Sequence, residues 1–258
     1  MIKIAFFDID NTLYDWETLR FVPSGIQAVK DLSKKGVKVV LCSARPYASI
    51  KEFGVFDLGI HWNGVISNCG AFVAYGNRTL RKLVMEPSVV RKLCRIATSH
   101  SLTMELVTAK TRFLIAEGNT FLENYHGTYS DNVPPVHRYR GEGVTGVLLF
   151  CPEEYDPYFH EALPNLTYYR FHPFGVDISE YPHLKGDGIG MILDALGIRK
   201  EEALSFGDDL QDISMGERTI FTCVGNGHEK AKAAADYVCP PIAEDGLLHA
   251  LRHWEVLP

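Results

Sequence analysis

Apolar and polar positions follow two rhythms along this chain. The first opens at Ile4-Ala5-Phe6-Phe7, an unbroken apolar run that ends in Asp8-Ile9-Asp10-Asn11-Thr12. A run without alternation predicts a strand buried on both faces of a parallel sheet. Thr12 to Phe21 is polar and aromatic and reads as an irregular flap. Pro23-Ser24-Gly25 then opens a helix with Ile26, Val29 and Leu32 at three-residue spacing. Gly36 suits its C-terminal end, and Lys34 and Lys35 suit the negative pole of its dipole. Val37 to Cys42 predicts a second strand with its own polar tip, Ser43-Ala44-Arg45. Strand, helix and strand make a right-handed βαβ unit and hence a parallel sheet. Pro46 begins another helix with Ala48, Ile50 and Phe53 on one side. Short strands follow at 64–67 and 71–74, separated by Asn68-Cys69-Gly70.

From about Leu80 the rhythm changes. Arg81 to Met85 predicts a strand, Pro87 to His100 a helix, and Thr103–Val107 with Thr111–Ala116 a hairpin. Gly118 to Tyr129 and Pro152 to Leu163 predict helices. Gly146–Phe150, Leu166–Phe171 and Gly175–Ser179 predict strands. This is an α+β pattern. The first rhythm returns at Lys185. Gly186–Leu196 is helical, Ala203–Phe206 a strand leading into Gly207-Asp208-Asp209-Leu210-Gln211-Asp212, and Ile220–Val224 another strand. A helix near Glu229 to Ala235, a strand at 237–239 and a helix from Glu244 to Trp254 close the chain. The expected fold is α/β, a Rossmann-like parallel-sheet core at 1–79 and 183–258, interrupted by an inserted α+β module at 80–182.

Composition narrows the function classes. Of 258 residues 46% are hydrophobic, enough for a substantial core, and the formal net charge is −6. Without a basic run, neither nucleic acid nor a membrane surface is an expected partner. No apolar run approaches the roughly 20 residues needed to cross a bilayer. With a core strand at the start and no leader pattern, the expectation is a soluble cytoplasmic protein. The six cysteines form no C-x-x-C pair and sit mostly in apolar runs, as buried thiols do. Gly141-Glu142-Gly143-Val144-Thr145-Gly146 matches G-x-G-x-x-G, but it feeds a strand where a dinucleotide site needs it to open a helix.

The chemistry concentrates at the polar tips. Residues i and i+2 of an extended backbone point the same way, so Asp8 and Asp10 emerge together at the carboxyl end of a central strand. Open α/β sheets place their ligands at that edge. Two carboxylates so close resist ionising unless a positive group joins them, and a hard divalent cation such as Mg²⁺ suits oxygen ligands. Ser43-Ala44-Arg45, Lys185 and the acidic cluster Asp208/Asp209/Asp212 belong to the same edge. A carboxylate pair, a hydroxyl with nearby backbone N–H groups, an ammonium and further acids can hold a phosphoryl group and leave one aspartate to attack it.

Those stretches, in that order, resemble the four motifs of the haloacid dehalogenase-like phosphatase superfamily. The module between the second and third motifs, Asn68-Cys69-Gly70-Ala71 and Lys185-Gly186 resemble its Cof-type subfamily of sugar-phosphate phosphatases, with a C2-type cap. The resemblance implies a Mg²⁺-dependent phosphatase of small phosphomonoesters that works through an aspartyl-phosphate. It implies Asp8 as nucleophile and metal ligand, and Asp10 as general acid and then base, with its backbone carbonyl on the metal. Asp208 completes the metal ligands. Ile9 and Ala44 (backbone N–H), Ser43, Lys185 and Gln211 hold phosphate, and Asp209 and Asp212 orient Lys185 and metal-bound water. Asn11, Ala44 and Gln211 depart from the family's commoner Gly, Gly and Asn. Arg45 either braces a loop by pairing with a carboxylate or touches substrate. The module would act as a cap, with hinges near 76–80 and 180–184. A phosphomutase on the same scaffold and a non-catalytic phosphometabolite sensor are the competing readings. Substrate and oligomeric state stay open at this stage.

Overall fold

The computed structural model describes residues 1–129, 132–182 and 185–258. The expected hinge residue His183 lies outside the described residues. The N-terminal apolar run forms β1 (Ile4–Phe7), every residue of it sealed from solvent. The stretch expected as an irregular flap instead carries a short antiparallel hairpin, β2 (Tyr14–Asp15) with β3 (Arg20–Phe21). Aromatic edges hold it: Tyr14 meets its cross-strand partner Phe21 at 5.1 Å and Trp16 at 4.9 Å.

α1 (Pro23–Lys34), β4 (Lys38–Cys42), α2 (Tyr47–Glu52), β5 (Gly64–Ser67), β6 (Phe72–Tyr75) and β7 (Arg78–Lys82) follow. The strand expected at 81–85 therefore begins and ends earlier. Gly76, at φ +54°, starts the two-residue turn that carries β6 into β7, so the expected linker at 76–80 belongs to neighbouring strands of one sheet. Next come α3 (Pro87–Ser99), β8 (Thr103–Thr108), β9 (Arg112–Leu114), α4 (Thr120–Tyr129) and β10 (Val144–Phe150). α5 (Asp156–Ala162) is shorter than expected because Pro157 can sit only in a first helical turn; a 3₁₀ turn, Glu153–Tyr155, precedes it. β11 (Thr167–His172), β12 (Gly175–Ser179), α6 (Lys185–Leu196), β13 (Ala203–Gly207), β14 (Ile220–Cys223), α7 (Glu229–Ala234), β15 (Tyr237–Val238) and α8 (Gly246–His253) complete the chain.

The chain divides into two compact units. One comprises Met1–Arg45, Gly54–Arg81 and the described residues of His183–Pro258. Its sheet runs β15-β14-β13-β1-β4-β5-β6-β7. β1 pairs in parallel with β13 on one side and β4 on the other, Phe7 standing opposite Phe206 and Leu41. The carboxyl ends of β1, β4 and β13 thus share one edge, and strand order reverses at β1, the switch point where such sheets bind ligands. α6 lays Ile189, Ile192 and Leu193 against Ile4, Phe6, Val40 and Ile66 on one face. On the other face Phe7 stacks on Phe206 at 4.9 Å. This is the α/β fold expected.

The other unit comprises Pro46–Phe53 and Lys82–Pro182. Its antiparallel sheet runs β11-β12-β10-β8-β9. α3 and α5 cover one face through Val90, Leu93, Ala97 and Phe159. α4 covers part of the sheet through Leu122 and Tyr125, against Leu114 and Phe150. α2 joins this unit through Glu52, ion-paired to Arg112 at 2.5 Å.

Candidate active site

β1 delivers Asp8 to the shared edge, where its carboxylate is almost wholly buried. The first turn of α6 delivers Lys185, whose Nζ donates to Asp8 Oδ1 at 2.8 Å and to Asp212 Oδ1 at 2.6 Å. Two glycines make this possible. A Cβ on Gly186 would sit 2.2 Å from the Ser214 carbonyl oxygen, and one on Gly207 would sit 2.5 Å from the Asp212 carboxyl carbon. Asp212 caps the chain after β13: its Oδ2 accepts from the N–H groups of Asp208 and Asp209 at 2.9 and 3.1 Å. Asp209 is the N-cap of the 3₁₀ segment Leu210–Glu217, in a reciprocal capping box with Asp212.

Carboxylate oxygens of Asp8, Asp208 and Asp212 lie within 4.8 Å of one another. Burial first, and then the charge of Asp212, push Asp8 up to about 7 although Lys185 opposes them. Burial, Asp212 and Asp8 push Asp208 well above the carboxylate range. Burial works against the Lys185 ammonium, but Asp212 and Asp8 outweigh it and raise Lys185. One ammonium for three crowded acids leaves an excess of negative charge. That is the electrostatic condition a divalent cation relieves, and the all-oxygen donor set fits a hard ion. Both Asp212 oxygens already accept hydrogen bonds, so Asp8 and Asp208 are the carboxylates better placed to turn towards a metal.

Asp10 emerges beside Asp8 but is clasped. Arg45 donates through Nε to Oδ2 at 2.8 Å and through Nη2 to Oδ1 at 2.8 Å, and the Trp16 indole donates to Oδ1 at 3.0 Å. Burial raises the Asp10 carboxyl, yet Arg45 and Trp16 bring it below its ordinary value. Of the two readings of Arg45, pairing with a carboxylate is the contact present. The guanidinium also lies 5.7 Å from the Trp16 ring centroid, within cation–π range.

Ser43, fully buried, accepts the Arg45 N–H on its hydroxyl at 3.1 Å. The N–H groups of Ile9 and Ala44 have no backbone acceptor among the described residues. Ala44 is not at positive φ, so the methyl in place of glycine brings no backbone strain there. Asn11 is at φ +50°, a conformation Asn tolerates better than most side chains, and Asn226 Nδ2 donates to its carbonyl at 2.9 Å. Gln211 is engaged through its Oε1, which accepts from the Cys69 thiol at 3.1 Å.

Sequence reasoning missed Trp16 and Cys69 as contacts of site residues. A tryptophan six residues after Asp10 was the signal for the first. Nothing in the spacing signals the second, whose partner is 142 residues away.

The family model for haloacid dehalogenase-like hydrolases matches residues 5–251. The chain belongs to this family. Similarity extends over whole chains: the Bacillus subtilis (strain 168) protein named "Putative phosphatase YkrA" is 28% identical across 99% of this chain and 98% of its own. The solved structure of BT4131, described as a sugar phosphatase of subclass IIB, superposes with a TM-score of 0.83 at 28% identity, covering 99% of this chain and all of that one. BT1666 from Bacteroides thetaiotaomicron, described among the family's phosphatases, gives 0.84 at 26% identity, over 100% and 96% of the two chains. Among the described residues no helix is long and apolar enough to cross a membrane.

Proposed function

We propose that this hydrolase is a Mg²⁺-dependent phosphatase of small phosphomonoesters, sugar phosphates foremost. Asp8 attacks phosphorus, forming an O–P bond as the ester P–O bond breaks. Asp10 protonates the departing alcohol. Water then attacks the aspartyl-phosphate, its proton passes to Asp10, and inorganic phosphate leaves with the Asp8 carboxylate restored. Ser43, the N–H groups of Ile9 and Ala44, and Gln211 would bind the non-bridging oxygens. Lys185 neutralises them, and Asp212 keeps Lys185 charged and aimed. Asp8, Asp208 and the Asp10 carbonyl would hold the ion, whose contribution is charge neutralisation at phosphate. Asp10 is a carboxylate here, the form that accepts a proton, and Arg45 and Trp16 orient it for proton transfer. The module at 80–182 is proposed as the cap that selects the leaving group. Its own sheet and core support that assignment.

The observation that carries the reading is Lys185 bridging Asp8 and Asp212 beside Asp208, three of the four motifs meeting around one ammonium. BT4131 and BT1666 support the phosphatase class. The test is a phosphomonoester panel with and without Mg²⁺, with hexose 1- and 6-phosphates included. Phosphate release that needs Mg²⁺ and vanishes in Asp8→Asn is expected. Interconversion of the two hexose phosphates would indicate a mutase, and equal turnover by Asp8→Asn would overturn the mechanism.

A further inference from the structure

The turn after β5 is strained. Asn68 and Cys69 both stand at φ +50°, and Gly70 follows at +92°. Consecutive non-glycine residues in the left-handed region are uncommon, and such strain gathers where geometry serves a site. This turn carries the Cys69 thiol to the fourth motif, where the S–H donates to Gln211 Oε1 at 3.1 Å. The thiol is buried. The Gln211 backbone is tied as well: its carbonyl accepts the Ser214 hydroxyl at 3.2 Å, and that hydroxyl accepts the N–H of Gly186, the residue after Lys185, at 3.2 Å.

A carboxamide whose oxygen receives a thiol presents its NH₂ group on the other side. Glutamine also has one more rotatable bond than asparagine, and a contact at its far end removes that freedom. We propose that Cys69 is a positioning residue, whose thiol fixes the Gln211 carboxamide with Nε2 turned to the phosphate group of the substrate. The proposal rests on the phosphatase reading for placing Gln211 at the phosphate; the Cys69–Gln211 contact stands apart from it.

Inorganic phosphate is the probe, added to the full chain in Mg²⁺. The readouts are the Gln211 side-chain ¹⁵N resonance and the phosphate dissociation constant. Gln211→Ala should weaken phosphate about 10-fold, the loss of one hydrogen bond to a charged group. Cys69→Ala should weaken it about 3-fold and shift the Gln211 resonance before phosphate is added. Cys69→Ser, which keeps a donor on the same backbone, should stay within about two-fold of wild type. In the Gln211→Ala background Cys69→Ala should add nothing. An unmoved Gln211 resonance in Cys69→Ala, wild-type phosphate binding by that variant, or a full additional loss in the double variant would overturn the proposal. If phosphate shifts the Gln211 resonance but no ester is hydrolysed, the positioning role stands and the phosphatase reading falls. If esters are hydrolysed but phosphate leaves that resonance unmoved, the positioning role falls alone.

Discussion

Asp212 holds Lys185 at 2.6 Å, and neither side chain has more than a trace of solvent contact. Asp212 also accepts two backbone N–H groups, so one carboxylate fixes both the ammonium and the loop that carries Asp208. Asparagine there would leave Lys185 paired with Asp8 alone and turn one acceptor oxygen into a donor, so the ammonium and the loop lose their common anchor. Asp212→Asn should therefore lower both the melting temperature and kcat/KM, the latter by about 100-fold or more. Steady-state kinetics on the best phosphomonoester, beside a thermal melt, reads both; unchanged kinetics would remove Asp212 from the site.

Gly207 gives the same carboxylate its room. A methyl there would collide with the Asp212 carboxyl, 2.5 Å away. Gly207→Ala should reproduce the Asp212→Asn defect although it removes no functional group. Activity near wild type would mean that the loop yields without displacing Lys185.

The clasp on Asp10 bears on proton transfer. Arg45→Met frees Asp10 from its bidentate partner, and Trp16→Phe removes one donor while keeping a ring beside the guanidinium. With the acid less well oriented, esters of alkyl alcohols should slow more than 4-nitrophenyl phosphate, whose leaving group needs little protonation. The expected loss for Arg45→Met is about 10-fold or more on the alkyl esters and less on the aryl ester. An equal loss on both classes would contradict an orienting role.

Asp177 lies on β12 opposite Leu148 and Tyr169. Burial pushes its carboxyl up to about 7, against a smaller lowering by the Ile178 N–H. A folded pKa above the unfolded value of about 4 makes protonation favour the fold. That stability is full below about pH 4 and is lost as pH rises through about 7. Asp177 keeps partial solvent contact, which moderates the effect. Asp177→Asn should raise the melting temperature by about 2 °C at about pH 8 and flatten its decline between about pH 5 and pH 8. Calorimetry across that range checks it, and an identical decline in both proteins would contradict it.

The elements legible in the sequence are those set by local pattern. β1 declares itself because a strand covered on both faces has no polar position to spare, and its polar tip declares the edge. The same logic located Ser43 and Asp208 at strand tips, whereas Lys185 opens a helix and was singled out by its place after the inserted module. What escaped depends on strand order. That Arg45 could pair with a carboxylate was legible, but not that the carboxylate is Asp10, 35 residues away, reached because β4 lies beside β1. Cys69 reaches Gln211 because a left-handed turn redirects the chain. The β2–β3 hairpin was missed because two-residue strands carry too little alternation to read, and β7 was expected three residues late because its polar residues hide the pairing with β6.

The central claim is that Asp8 carries the phosphoryl group between substrate and water. Rapid acid quench of the wild-type enzyme with ³²P-labelled substrate and Mg²⁺, followed by peptide mapping, tests it directly. The account predicts label on the peptide that contains Asp8, at that carboxylate, and none in Asp8→Asn. Turnover without a labelled enzyme, or with label on any other residue, would contradict it.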